Sequence, residues 1–318
     1  MPKLLKLLKN IVPLGLGLYL VYFSFANTSE DDRAQIFAAI KQADLKFVFL
    51  SLVFGALSHL SRAYRWNFLL KPLGYQPSFI IRTLTVLIAY FSNLGIPRSG
   101  EVLRATALAT YAGVPFQKGF GTIVTERIID LILLFSFIGF GFLLHSELLF
   151  EIIGNPTFNS YILLWLIVGV GLFFVFIRIL KRSQKVWATK IMRFFNGLWL
   201  GMLSVRFMKN KWAFIAHTLF IWLMYLMMFW VVTFSLPETS GLSLSAIVPA
   251  FIAGGFAMSA TNGGIGLYPL AVAAVLQAFA VPYPQALAFG WVMWTGQTIM
   301  VVIFGSLSFL LLPIFSKK

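Results

Sequence analysis

Two short stretches of the chain carry charged side chains inside otherwise apolar sequence, where they could bind an anion. The first contains Arg98, Glu101 and Arg104, and their i,i+3 spacing places all three on one face of a helix. Guanidinium groups match phosphate oxygens through paired N–H donors. We therefore expect Arg98 and Arg104 to bind a phosphate while Glu101 bridges them, with the free N–H groups of the helix that opens at Gly100 adding positive potential.

The second stretch contains Glu126, Arg127 and Asp130. Glu126 and Asp130 share a helical face at i,i+4, while Arg127 lies about 100° around the helix. Two carboxylates on one face need cationic partners, since unpaired charge in lipid is costly. The candidate partners are Arg98 and Arg104, followed by Arg62 and Arg65. The acids then orient the arginines or contact an amine or hydroxyl group of the ligand; the alternative is a network of ion pairs that only holds helices together.

A third stretch could bind an anion through backbone N–H groups rather than through charged side chains. It comprises Asn262, Gly263, Gly264 and Gly266, and glycine permits the positive φ angles that let successive N–H groups surround an anion. The stretch has neither the Lys-Ser/Thr pair of a phosphate-binding loop nor a preceding strand. Nucleotide binding is therefore not expected.

The composition requires that these stretches be positioned by membrane helices. Only 11% of the 318 residues are charged, 59% are hydrophobic and the mean hydropathy is +0.88, whereas soluble domains carry about 25% charged residues. The formal net charge of +15 favours loops facing anionic lipid over nucleic-acid binding. With no cysteine and three scattered histidines, neither a metal nor a cofactor is expected.

Apolar runs long enough to cross a membrane predict an all-α, polytopic protein with about six spanning helices. The runs are residues 11–26, 45–60, 120–144, 161–177, 212–236 and 285–313. Two more apolar segments, 83–111 and 245–280, are interrupted by polar residues, glycine or proline. We interpret both as re-entrant helical hairpins, which bury their turns in protein or in a wet cavity; ordinary kinked spans are the alternative.

The basic residues predict the orientation. Clusters of Lys and Arg precede the first run, follow the second and separate the fourth from the fifth, so these loops and both termini should be cytoplasmic. The two hairpins then enter from opposite sides and point at each other. We expect one integral membrane domain, residues 1–318, with inverted-repeat halves at approximately 45–144 and 212–313. Such broken segments at matching positions typically mark the central site of a transporter.

Two other segments leave alternatives open. The basic, apolar N-terminus resembles a cleavable signal peptide, although retention suits a polytopic protein better. Residues 181–211 mix basic and aromatic side chains and predict an amphipathic helix on the inner leaflet or a solvated basic linker. Within this segment Gly197 and Gly201 form a GxxxG pair, which is either a packing motif or a chance match.

Four motifs together resemble a known family of flippase-like integral membrane proteins related to the transmembrane region of lysylphosphatidylglycerol synthase. The similarity covers nearly the whole chain. The motifs are Arg-x-x-Arg-Trp (Arg62, Arg65, Trp66), Pro-x-x-Gly-Glu-x-x-Arg (Pro97, Gly100, Glu101, Arg104), Glu-Arg-x-x-Asp (Glu126, Arg127, Asp130) and the glycine turn (Gly263, Gly264, Gly266). Many members have Pro and Glu where this chain has Asn262 and Pro269, so a role for that Glu is not carried over.

The resemblance implies a bacterial inner-membrane protein that moves lipids between leaflets; the best understood members translocate aminoacylated phosphatidylglycerol. Their soluble aminoacyl-transferase domain is absent from these 318 residues, so lipid synthesis is not expected. We expect flippase-like or scramblase-like translocation of a phospholipid or related anionic lipid, with a homo-oligomer possible. The predicted headgroup-binding residues are Arg98, Glu101, Arg104, Glu126, Arg127 and Asp130. The secondary residues are Arg62, Arg65, Asn262, Gly263, Gly264 and Gly266. The alternatives are a membrane-embedded transferase acting on a lipid-linked substrate and a non-transporting envelope scaffold.

Overall fold

The computed structural model describes residues 18–24, 26, 28–96, 98–144, 178 and 186–316, and within these ranges the chain forms helices and turns without a β-strand. Within these ranges, the α-helices with defined bounds are α1 (Glu30–Gln42), α2 (Leu45–Leu70), α3 (Phe79–Gly95), α4 (Ser99–Ala112), α5 (Phe116–Leu144), α6 (Val186–Leu203), α7 (Lys211–Thr233), α8 (Leu244–Ala260), α9 (Leu267–Ala278) and α10 (Tyr283–Phe315).

Local side-chain chemistry explains where several helices begin. The hydroxyl of Ser29 accepts a hydrogen bond from the Asp32 N–H, which caps the N-terminus of α1. The carboxylate of Asp44 does the same for α2 through the Lys46 N–H at 2.9 Å, and Ser78 caps α3. Each cap satisfies a backbone donor that has no partner inside its own helix.

Three segments are long and apolar enough to cross a membrane, and they coincide with three of the predicted spans. They are Leu45–Leu73, Lys211–Thr233 and Tyr283–Phe315; at about 1.5 Å per residue, the 23 residues of the shortest extend about 35 Å. The predicted span 120–144 lies within the helix α5. The predicted span 161–177 lies outside the described residues, as do residues 11–17 and 25 of the predicted span 11–26.

The first interrupted segment forms the helices α3 and α4, which pack against each other in opposite directions. Between them Arg98 adopts a left-handed conformation with φ of 60°, and Pro97 lies outside the described residues. The Ser99 hydroxyl donates to the Ser92 carbonyl at 3.0 Å, and the Gly100 N–H donates to the Asn93 side chain at 2.8 Å. These bonds satisfy polar groups that the break releases.

The helices α3 and α4 approach so closely at Gly100 that only glycine fits. A Cβ atom added there would overlap the backbone carbonyl of Ala89. The break and the close contact together fold the segment back on itself.

The second interrupted segment has the same organisation. Helices α8 and α9 pack against each other and are joined by the glycine turn, in which Gly263, Gly264 and Gly266 all have positive φ angles. The Trp294 indole N–H of α10 donates to the Gly263 carbonyl at 2.8 Å. The glycines are therefore required by the shape of this turn.

The two turns touch. The Asn262 side-chain amide donates to the Gly95 carbonyl at the end of α3 at 2.8 Å, and Gly263 lies against the side chain of Leu94. Contacts between the interrupted segments therefore join parts of the chain that are separated by 167 residues.

The helix α6, from the segment expected to be amphipathic, packs along α5 through glycine. Backbone atoms of Gly121 and Gly201 lie so close that a Cβ on Gly201 would sit 2.8 Å from the Gly121 Cα, and a Cβ on Gly197 would sit 2.8 Å from the Gln117 Cβ. Of the two interpretations of Gly197 and Gly201, the structure supports a packing motif.

Buried apolar side chains form two main cores. One surrounds Trp66 and Ile123, and the other surrounds Phe229 and Phe289. The charged residues singled out in the sequence lie beside the first core, while the second core faces them from the other half of the chain.

Candidate functional site

Seven charged side chains from α2, α4 and α5 form one connected cluster. They are Arg62, Arg65, Arg104, Arg127, Glu101, Glu126 and Asp130. Four arginines against three carboxylates leave one net positive charge. Because buried charge is tolerated only when it is paired, the excess charge marks this cluster as a place where an anion would be stabilised.

Glu126 lies at the centre of the cluster and is 1% exposed. One carboxylate oxygen accepts from Arg104 at 2.6 Å and the other from Arg65 at 3.2 Å. The sequence predicted Arg104 as a partner for the two acids, and the structure places it against Glu126. Arg65 also donates to the hydroxyl of Thr218 on α7 at 3.0 Å.

Asp130, one turn further along α5, contacts three arginines. Its carboxylate lies 2.8 Å from Arg62, 3.3 Å from Arg65 and 3.7 Å from Arg127. Arg62 and Arg65, which the sequence predicted only as secondary residues, are therefore central to the cluster.

Arg104 also stacks on an aromatic ring. Its guanidinium carbon lies 3.7 Å from the ring centre of Trp66, whose indole N–H donates to Thr122 at 2.8 Å. Among the described residues, no hydrogen-bond partner is present for the buried Nε and one Nη of Arg104 or for the buried Nε groups of Arg62 and Arg65. The cluster therefore retains donor capacity that its own carboxylates do not use.

Glu101 does not bridge Arg98 and Arg104, and that expectation is wrong. Its carboxylate binds Arg127 of α5 at 2.7 Å, and its second oxygen is buried without a partner. Arg127 is 42% exposed, so this ion pair is the most accessible part of the cluster. The reason is that α4 packs against α5, so the side chain of Glu101 contacts Arg127 of α5 rather than an arginine of α4.

Arg98 also departs from the prediction. It is the left-handed residue before α4, it is exposed, and it forms no ion pair with any residue in the described ranges. The expected anion site at the start of α4 is reduced as well, because the Gly100 N–H is bonded to Asn93 and the Ser99 N–H to Ile96. The positive potential comes from the cluster and not from this helix terminus.

A cavity of about 370 Å³ borders the cluster and is lined by residues from both halves of the chain. Its lining includes the charged residues Arg62, Arg127 and Asp130, and apolar side chains from α5, α8 and α10 such as Leu134, Phe251 and Met293. Known ligand pockets have volumes of roughly 300–1,000 Å³. The cavity thus combines charged and apolar lining, as an amphipathic ligand requires.

Two tyrosines on this cavity were missed by the sequence analysis. The hydroxyls of Tyr90 and Tyr225 lie 2.8 Å apart, and Arg62 donates to Tyr225 at 3.5 Å. The ring of His59 packs 4.3 Å from that of Tyr90. The available signal was weak: a tyrosine in an apolar helix needs a partner for its hydroxyl, but the sequence does not say which partner.

The glycine turn does not line this cavity. Asn262, Gly263 and Gly264 are buried against the end of α3 and against α10, while Met258 and Tyr268, on either side of the turn, reach the cavity wall. In the structure the turn positions neighbouring side chains. Within the described part of the chain, no three His, Asp or Glu side chains are grouped as metal ligands.

Comparison with known families agrees with the motifs on which the site is built. The family profile of the lysylphosphatidylglycerol synthase transmembrane region matches residues 10–305. The chain belongs to this family. The resemblance stated from the motifs is therefore confirmed, and the protein is a multi-pass membrane protein of that family.

Three curated relatives are similar to parts of the chain. A UPF0104 membrane protein of Methanocaldococcus jannaschii is 26% identical over 276 residues, covering 76% of this chain and 78% of that protein. A UPF0104 membrane protein of Pyrococcus horikoshii is 28% identical over 131 residues, which is 39% of each chain. Glycosyltransferase AglD of Haloferax volcanii is 28% identical over 102 residues, which is 32% of this chain but only 16% of that enzyme. No solved structure matches the chain.

Proposed function

We propose that this family member translocates a phospholipid or related anionic lipid between membrane leaflets in a flippase-like or scramblase-like manner. The supporting observation is the central cavity, whose lining combines residues of the net positive cluster with apolar side chains. A lipid combines the same two kinds of chemistry. Its phosphate would contact Arg62 and Arg127, and its chains would lie against the apolar side chains.

An unused donor in the cavity lining supports the choice of an anion. The Nε of Arg62, a residue that lines the cavity, has no acceptor among the described residues, and phosphate oxygens are strong acceptors for such groups. Asp130 and Glu101 would orient the arginines and contact a headgroup amine or hydroxyl. Arg104 and Glu126, which do not line the cavity, would hold the other members of the cluster in position.

The helix order supports a transporter architecture. In each half a long helix is followed by an interrupted helical pair and then by another long helix, and the interruptions touch at Asn262 and Gly95. We interpret the pairs as opposed re-entrant hairpins of an inverted repeat, with approximate halves 45–144 and 212–313 in one membrane domain. We expect both termini on the cytoplasmic side of a bacterial inner membrane, because loops rich in Lys and Arg favour the cytoplasmic side.

The test is exchange of headgroup-labelled phosphatidylglycerol between the leaflets of liposomes that contain the purified protein. We expect faster exchange in liposomes that contain the wild-type protein than in protein-free liposomes. Arg62→Gln should slow exchange about tenfold or more, because a hydrogen bond to a charged group contributes about 1.5–3 kcal/mol and about 1.4 kcal/mol corresponds to tenfold. Asp130 keeps two other arginines in this variant, so the fold should persist.

The matched control is Lys46→Gln, which removes a positive charge from the exposed start of the same helix, α2. Its exchange rate should equal that of the wild type. Wild-type rates no higher than those of protein-free liposomes would refute the proposal. Mass spectrometry of the same lipids provides a second readout, since a chemically altered lipid species would identify a transferase instead.

A further inference from the structure

A second, smaller cavity lies on the outer face of α5, between that helix and α4. It has a volume of about 200 Å³ and is lined by Glu101, Arg127 and apolar side chains of α5 that include Ile123, Ile128 and Leu131. Ile128 and Leu131 are 44% and 49% exposed on the surface of the structure. In a membrane protein, such exposed apolar side chains face lipid hydrocarbon.

The outer cavity and the central cavity share two lining residues. Arg127 and Leu131 line both. The Arg127 guanidinium therefore stands between them, with Glu101 at 2.7 Å on the outer side and Asp130 at 3.7 Å on the inner side. Arg127 thus contacts one carboxylate of each cavity through a different nitrogen.

The lining of the outer cavity matches the chemistry of a phospholipid. Its wall is almost wholly apolar and suits a hydrocarbon chain, while its polar end holds the accessible guanidinium of Arg127 beside Glu101. A phospholipid offers a chain for the wall and a phosphate for Arg127. A Glu101 carboxylate released from Arg127 could then accept a hydrogen bond from a headgroup hydroxyl.

We propose that the outer cavity is a lateral subsite through which a phospholipid passes between the membrane and the central cavity, with its acyl chain held against α5. The Glu101–Arg127 ion pair separates the two cavities and opens when the phosphate replaces Glu101 on Arg127. This proposal rests on the proposed function, since it supplies the route to the site where the headgroup is translocated.

The test uses a phosphatidylglycerol with a photoactivatable diazirine in its acyl chain, incorporated into liposomes with the full-length protein. After illumination, the labelled peptide is mapped by mass spectrometry. We expect label on α5 between residues 120 and 131. Ile128→Trp fills the outer cavity and should remove that label, and it should also reduce headgroup exchange to the rate of protein-free liposomes.

Ile132→Trp is the matched control, because Ile132 lies one turn further along the same face of α5, is 59% exposed and does not line the cavity. This variant should retain both label and exchange. Label in the wild type that is lost in Ile128→Trp, without exchange in any sample, would support the subsite while refuting translocation. Exchange without label between residues 120 and 131, or equal label in Ile128→Trp, would overturn the subsite while leaving translocation in place.

Discussion

The Glu126 carboxylate should be the most important single charge for the stability of the fold. It is 1% exposed and holds Arg104 and Arg65 at 2.6 and 3.2 Å. In Glu126→Gln, Arg65 keeps Asp130, but Arg104 loses its only carboxylate and the cluster charge rises from one to two. Stranding a buried charge costs about 3–5 kcal/mol, and we expect a loss of that size in the free energy of unfolding, measured by denaturant titration in detergent micelles.

Two further variants make this reasoning refutable. Glu101→Gln should cost at most about 1 kcal/mol, because Arg127 is 42% exposed and still has Asp130 nearby. Adding Arg104→Met to Glu126→Gln should restore part of the lost stability, since the stranded guanidinium is then removed. If Glu126→Gln unfolds like the wild type, or if Glu101→Gln costs as much as Glu126→Gln, the cluster is not organised around Glu126.

Two predictions concern the interrupted helices. Gly100→Ala should lower the free energy of unfolding by about 1–3 kcal/mol, because the added methyl group overlaps the Ala89 carbonyl. Gly95→Ala, where the added methyl group meets no atom within 4 Å, should change this free energy little. Equal effects of the two substitutions in the same titration would contradict the close packing of α3 on α4. Asn262→Ala removes the bond to the Gly95 carbonyl and should cost about 0.5–1.5 kcal/mol, compared with no loss for Asn210→Ala, whose side chain forms no cap bond.

The sequence predicts most of the helices because apolar length and polar interruption are local properties. Residues 45–60 and 285–313 each fall within one long helix, α7 covers all but the last three residues of 212–236, and the two interrupted segments break close to the predicted glycines. The contact between Asn262 and Gly95 agrees with breaks that point at each other. Helices and helix breaks can therefore be predicted from the local sequence pattern alone.

The pairing of charges was harder to predict because it depends on how helices rotate against each other. The i,i+3 spacing of Arg98, Glu101 and Arg104 is real, but α4 presents Glu101 to Arg127, and Arg98 lies in the turn before the helix. Buried partners from distant helices, such as Tyr225 beside Tyr90, leave no mark in the local pattern. Tertiary packing decides both cases.

The ion pairs have a consequence for biosynthesis. The ion pairs of the cluster all join residues between 62 and 130, although Arg65 later gains Thr218 and Arg62 gains Tyr225. Since a chain emerges from the ribosome N-terminus first, the first half can pair these arginines with its own carboxylates before the second half is made. The insertion machinery therefore needs to shelter these arginines only until Asp130 has entered the membrane, and the second half then folds onto a partner whose charges are already paired.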